Sequence, residues 1–332
     1  MNTKYILGFV GKNVIKAITL LLGVSIVAFI LVSLSPIDPV QSNVGSTAYN
    51  NMSGEKKAQL ESYWGVDTPP VERYVNWATD FIKGDMGISL RYNAPVSEVI
   101  GHKFLNSILL MSIAWVLSGV FGFFLGIISG VYRGRLPDKI IKGYALTLAS
   151  TPTFWFALLM LMVFSVFLGW FPFGMSVPIG VSAADVTIFD SLQHLILPAI
   201  TLSIVGVANI TLHTREKIID IMESDYFLFA VARGEKKWSI IKNHGLRNIL
   251  LPAMTLQFAS ISEIFGGSVL VEQVFSYPGL GQAAITAGLG GDVSLLLGIA
   301  VVSAAMVFTG NLIANVLYGV IDPRIRRGQL NG

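Results

Sequence analysis

The feature that most limits this chain is a series of long stretches without a charged side chain. They run from Ala17 to Ile37, Phe104 to Tyr132, Gly143 to Ala184, Ser191 to Thr214, Asn248 to about Val274 and Val293 to Ile321; Glu263 and Glu272 interrupt the fifth. A helix needs about 20 predominantly apolar residues to cross a bilayer, and a helix satisfies its own backbone polar groups there. The third stretch is too long for one helix, so Gly143 to about Trp170 is read as the span and the remainder as an external loop. Six spans are expected, in an all-α polytopic membrane protein with a small extracytoplasmic insertion between helices 1 and 2. Composition points the same way. Charged residues are 13% of the 332, against roughly 25% in soluble domains. Disorder is excluded by high apolar content and a net charge of only +3. The first apolar run exceeds the usual length for a signal peptide, about 7–15 residues, and lacks an A-x-A site, so an uncleaved helix is expected.

Lys and Arg near span ends set topology. With the N-terminus inside, segments 1–16, 133–142, 215–247 and 322–332 hold 17 of the 23 basic residues, and the outer loops 171–190 and 275–292 hold none. Both termini are therefore expected in the cytoplasm. The basic balance is a topology signal, and no nucleic-acid partner is implied, since that needs charge clustered on a soluble face. The chain divides into 1–37 (tail and helix 1), 38–103 (extracytoplasmic), 104–321 (helices 2–6, with a cytoplasmic loop at 215–247) and 322–332 (tail). Tyr63, Trp64, Tyr74 and Trp77 are expected to give segment 38–103 a small core of its own.

Signs of covalent chemistry are missing from the sequence. There is no G-x-x-x-x-G-K-[ST], H-E-x-x-H or G-x-S-x-G, and no cysteine. His102, His194, His213 and His244 lack metal-ligand spacing and are read as packing or interfacial residues. No catalytic residue and no metal site are assigned. The informative segment is Glu223 to Gly234. Ser224 suits an N-cap, Asp225 the first turn, Arg233 the last turn and Gly234 a left-handed C-terminus. The helix between them carries Phe227, Leu228, Phe229, Ala230 and Val231 on the water side, so something must cover it: the chain's own helix ends, or a partner protein. Both readings stand.

Glu263 lies within a span, where insertion costs roughly 2.5–3.5 kcal/mol, so it faces a permeation path or is protonated or bonded to a neighbouring helix. Glu272 suits a structural salt link or a helix-end role. Gly122, Gly126 and Gly130 form a small-xxx-small face for close helix packing. A non-transporting receptor or scaffold is the competing class. A secondary transporter is disfavoured, because Glu263 is essentially the one candidate ion site in the spans.

Asp225-Tyr226, Ala230, Ala232 and Arg233-Gly234, followed by His244-Gly245-Leu246-Arg247-Asn248-Ile249-Leu250-Leu251-Pro252, resemble the EAA loop of ABC-importer permeases of the dipeptide/oligopeptide/nickel family. Gly65-Val66-Asp67-Thr68-Pro69, Gly84-Asp85-Met86-Gly87-Ile88-Ser89, Thr151-Pro152-Thr153-Phe154-Trp155, His194-Leu195-Ile196-Leu197-Pro198-Ala199, Phe275-Ser276-Tyr277-Pro278-Gly279-Leu280-Gly281 and Asp322-Pro323-Arg324-Ile325-Arg326 extend the likeness over the whole chain. The resemblance implies a B-type permease forming half of a translocation path in a prokaryotic cytoplasmic membrane. Asp225, Tyr226, Phe227, Ala230, Ala232, Arg233 and Gly234 would form the helix that couples to an ATPase, with Ala230 and Ala232 allowing close approach. Glu263, Gly266, Gly267 and Glu272 would belong to the path. Implied partners are a paralogous permease, two cytoplasmic ATPase subunits, an extracytoplasmic binding protein and membrane lipid. This chain would bind no cofactor, with ATP and magnesium held by the ATPases. Short peptides are the expected cargo, then nickel or a metal chelate, then oligosaccharide. Leu228 and Val231 stand where relatives often carry a basic residue. Glu235-Lys236-Lys237 is more charged than usual, and Gly291-Asp292-Val293-Ser294 replaces R-D-[YF]-P.

Overall fold

The computed structural model describes residues 3–34, 41, 44–63, 68–178 and 186–321. Trp64 to Asp67, residues 179–185 of the outer loop and 322–332, with the Asp322–Arg326 motif, lie outside the described residues. The helices in chain order are α1 (Thr3–Ser33), α2 (Ser46–Asn50), α3 (Gly54–Tyr63), α4 (Pro70–Ile82), α5 (Val96–Val131), α6 (Leu136–Ala149), α7 (Thr153–Met160), α8 (Ile188–Met222), α9 (Asp225–Ala232), α10 (Lys237–Ile240), α11 (Leu246–Ala259), α12 (Ile261–Val274), α13 (Leu280–Gly290) and α14 (Val293–Ile321). A two-residue hairpin pairs β1 (Ile88–Ser89) antiparallel with β2 (Ala94–Pro95).

Among the described residues four helices are long and apolar enough to span a membrane, and there are up to six spans if each of two bent pairs counts as one. The bends are where the structure departs from six simple rods. The stretch read as one span from Gly143 to Trp170 is α6 followed by α7, turned by 110°. Pro152 has no N–H to continue the α6 ladder and drives Thr151 out of the helical region. The second half then continues as a π-helix, Leu161–Phe167. The α11–α12 pair bends by 48° at Ser260. The second span also begins earlier than its uncharged stretch, at Val96, and the fourth runs from Ile188 to Met222. Charged ends extend these helices because about 35 residues rise about 52 Å, well beyond a hydrocarbon core of about 30 Å.

The chain forms two compact units, Met1–Ser107 with Pro278–Phe308 and Ile108–Tyr277 with Thr309–Gly332. In the first, Val96 and Ile100 of α5 pack with Leu280, Ala283 and Ala287 of α13 and with Leu295 and Ile299 of α14. Buried Asp292 organises the adjoining turn. Its carboxylate accepts from Ser89 Oγ (2.6 Å), Arg91 N (3.1 Å) and Leu295 N (3.1 Å), so one side chain caps α14 and holds the hairpin. The expected separate core of segment 38–103 does not form among the described residues. No α4 residue is buried, and Tyr74 packs instead on Phe29 of α1, ring centroids 5.2 Å apart. A short helix with one apolar face lacks a second layer to close a core, and α1 supplies it.

In the second unit α8 is central: 61% of its apolar window is buried, against 11–28% in the other three long helices. Thr187 and Asp190 start it with a capping box. Gly122, Gly126 and Gly130 of α5 lie directly on it. A Cβ at Gly126 would sit 2.5 Å from Thr214 Cβ, and one at Gly130 2.5 Å from Ile218 Cβ. The stripe is a backbone-to-backbone seam. His194 of α8 is a packing residue as expected, its Nδ1 2.7 Å from the Gly174 carbonyl oxygen.

Candidate functional site

The segment after α8 turns at Glu223 and Ser224 and becomes α9. Ser224 occupies the N-cap position but does not cap: its hydroxyl donates back to the Ile221 carbonyl. The C-terminus follows the sequence. Gly234 is left-handed at φ +87°, with Gly234 N donating to Val231 O (2.9 Å) and Glu235 N to Ala230 O (3.2 Å). This is the paired bonding of a Schellman motif.

The apolar surface of α9 is divided. Phe227 (3% exposed) and Ala230 turn inward, joining Ile127 and Val131 of α5, Ile218 and Ile221 of α8, and Ile240, Ile241 and Ile249. Leu228 (57%), Phe229 (65%), Tyr226 and Val231 face out, with Ala232, Arg233 and Gly234 also exposed. Arg233 stacks over the Phe229 ring at 5.9 Å. The chain's own helix ends therefore cover one side of the apolar helix, and the other side is open. Ala230 gives close approach inward, not outward.

Beside that cluster is an arrangement the sequence reading missed. Asp138, in the first turn of α6, and Arg215 of α8 form a buried ion pair, with Arg215 Nε to Oδ1 at 2.7 Å and Nη2 to Oδ2 at 3.0 Å. Ser129 Oγ of α5 (2.6 Å) and Gly134 N (2.7 Å) also donate to Asp138. One carboxylate thus ties α5, α6 and α8 together. Arg215 reaches Glu216 as well, at 2.6 Å. In the sequence Arg215 counts only among the basic residues of segment 215–247, and Asp138 is not singled out. The available signals were Pro137 ahead of Asp138, marking a helix start, and Arg215 on the face of α8 that carries Thr211 and Ile218.

Glu263, Gly266 and Gly267 come together. With Thr153 of α7 and Leu202, Val205 and Gly206 of α8 they line a cavity of about 220 Å³. The Glu263 side chain is exposed and accepts from Asn209 Nδ2 at 3.1 Å. It thus has the neighbouring-helix partner that was one of the two expected roles, and its side chain is open on the other side. A Cβ on Gly266 would meet nothing within 4 Å, while one on Gly267 would press on Leu202 at 3.1 Å. Glu272 is elsewhere. It is 0% exposed and does not line the cavity. Its carbonyl accepts from Tyr277 N at 2.8 Å. Burial pushes the Tyr277 phenol up to about 12, and the Glu272 carboxylate acts in the same direction.

Comparison with known proteins adds a family. Residues 122–327 match the family described as binding-protein-dependent transport system inner membrane component. The chain is similar to the oligopeptide transport system permease protein AppB of Bacillus subtilis (strain 168), 35% identical over 325 residues, covering 96% of this chain and 98% of that protein. It is also similar to the glutathione transport system permease protein GsiC of Salmonella choleraesuis (strain SC-B67), 32% identical over 320 residues, covering 96% and 99%.

Proposed function

The chain belongs to the binding-protein-dependent transport inner membrane components and is a permease subunit of an ABC importer; from that premise we propose its cargo, its partners and the work of individual residues. It is a multi-pass membrane component and not itself an enzyme. The cargo is short peptides, the reading supported by relatives described for oligopeptide and glutathione transport. Those descriptions do not favour the nickel alternative. The chain pairs with a paralogous permease, takes peptide from an extracytoplasmic binding protein and is driven by two ATPase subunits, which hold the ATP and magnesium. The placement of 17 of 23 basic residues supports cytoplasmic termini in a prokaryotic cell membrane.

The observation that carries the coupling role is the divided face of α9. Tyr226, Leu228, Phe229 and Val231 offer an apolar ridge to the ATPase, and the exposed Ala232, Arg233 and Gly234 complete that surface. Phe227 and Ala230 anchor the same helix in the cluster with Ile127, Val131, Ile218 and Ile221, and Asp138 extends the link to α6. Closure of the ATPase pair therefore moves α9 with α5, α6 and α8 as one body, a rigid-body transition of packed helices. Glu263, Gly266 and Gly267 line the path, and Glu272 supports its wall from within the protein.

The test separates the two faces. Leu228→Ser with Phe229→Ser leaves the melting temperature of the solubilised chain near wild type and abolishes co-purification of the ATPase. Phe227→Ser lowers the melting temperature first. Undiminished ATPase recovery with the outward pair changed overturns the assignment. For cargo, ATP-dependent uptake of labelled oligopeptides into proteoliposomes of the whole complex is expected, and uptake of a nickel chelate in its place overturns the peptide reading.

A further inference from the structure

Helix α4 has a sorted surface. At 100° per residue, Glu72, Arg73, Asn76, Thr79 and Asp80 occupy one arc of Pro70–Ile82, and an apolar arc covers the rest. The apolar arc is itself divided. Tyr74, Trp77 and Phe81 form an aromatic ladder, with centroids 6.0 and 5.2 Å apart, and Tyr74 stacks on Phe29 of α1. Val71 (76% exposed), Val75 (52%) and Ile82 (85%) lie on the other half, uncovered among the described residues.

Contacts with α1 fix the depth. The uncharged part of α1 runs from Ala17 to the last helical residue, Ser33, and rises about 24 Å, within a hydrocarbon core of about 30 Å. Ser33, the last residue of the helix, lies toward the edge of that core at the C-terminal end of α1, and Ser25 about 12 Å farther in. Arg73 Nη2 donates to Ser33 Oγ at 3.2 Å, at that edge. The Tyr74 hydroxyl is 2.8 Å from Ser25 Oγ, whose own proton goes to Leu22 O, so Tyr74 donates into the span. The guanidinium points to the edge, as snorkelling basic side chains do, and the tyrosine reaches below it. Along α1 itself Ile26, Val27, Ile30 and Leu31 are exposed, so the bare stripe of α4 continues a lipid-facing surface.

We propose that α4 is an interfacial amphipathic helix, with Val71, Val75 and Ile82 immersed among the acyl chains of the leaflet at the C-terminal end of α1. Its polar arc faces water, Arg73 stands at the boundary, and Tyr74 reaches below it to α1. The insertion that follows the first span is thereby held to the membrane surface.

The chain contains no cysteine, so single cysteines at 71, 75 and 82, and at 72, 76 and 80 on the polar arc, take a spin label without background from this chain. Each variant is reconstituted with its partner subunits in nanodiscs of phosphatidylcholine and phosphatidylglycerol, and the complex carrying the cysteine-free chain provides the blank. Collision with oxygen is expected to exceed collision with a water-soluble nickel chelate at 71, 75 and 82, with the ratio inverted at 72, 76 and 80. High nickel-chelate collision at 71, 75 and 82 puts the stripe in water and overturns the proposal. Low collision with both reagents there means that protein covers the stripe and overturns it equally.

Discussion

Leucine in place of Asp138 leaves the Arg215 guanidinium without the carboxylate that accepts two of its N–H groups, where both side chains are less than a tenth exposed. Ser129 Oγ and Gly134 N lose the same acceptor. Removing one partner of a buried pair costs about 3–5 kcal/mol, because a charge remains without compensation. Glu216 still holds Arg215 from a solvent-exposed position, where an ion pair is worth about 0–1 kcal/mol, so the loss falls toward the lower end. Arg215→Met strands the carboxylate with two neutral donors and costs a similar amount. The double variant Asp138→Leu/Arg215→Met removes both charges and substitutes apolar side chains of comparable volume, an exchange that is often neutral. Thermal unfolding of the solubilised chain, followed by tryptophan fluorescence, reads the cycle. Each single variant drops on the order of 10 °C, and the double recovers more than half of that. Strictly additive losses would refute the argument, since they mean that each residue acts without the other.

Gly126→Val forces α5 and α8 apart by about 0.9 Å, the gap between the 2.5 Å approach and ordinary contact at 3.4 Å. The cost is about 1–3 kcal/mol of melting stability, while Gly143→Ala, with nothing within 4 Å of the new Cβ, is neutral or slightly stabilising. Gly234→Ala places a Cβ at φ +87° and costs about 1–2 kcal/mol, read as faster hydrogen exchange across 225–235. Asp292→Ala leaves the Ser89 hydroxyl and the N–H groups of Arg91 and Leu295 without their acceptor, so exchange accelerates at 88–95 while the amides of α8 are unchanged.

Much of the fold was legible in the sequence because a bilayer imposes a rule that acts on composition alone. The apolar stretches identify the spans, and Gly234 ends α9 where only a residue without a Cβ is at ease. The Gly122-Gly126-Gly130 stripe also reads correctly, since residues four apart share a helix face. Legibility failed where two distant segments decide together. Thr151-Pro152 announces a break but not an angle of 110°, which follows from what each half packs against. Tyr74 and Trp77 read as a private core because their aromatic bulk signals burial, and nothing local indicates that Phe29 provides the partner surface.

The sequence by itself determined that this chain crosses a membrane several times, which stretches are apolar enough to do so, and that an apolar helix near residues 225–234 stands outside them. Those conclusions rest on hydration cost and helical periodicity, which are properties of contiguous residues. Only the tertiary structure decided which side of that helix is anchored and which is free, because Phe227 and Leu228 are chemically alike and differ by what lies opposite. It also decided that Asp138 and Arg215, 77 positions apart, are one unit and not two loop charges. A buried charge is tolerated when its counter-ion is within hydrogen-bond reach, and distance in space, unlike hydrophobicity, is not written along the chain.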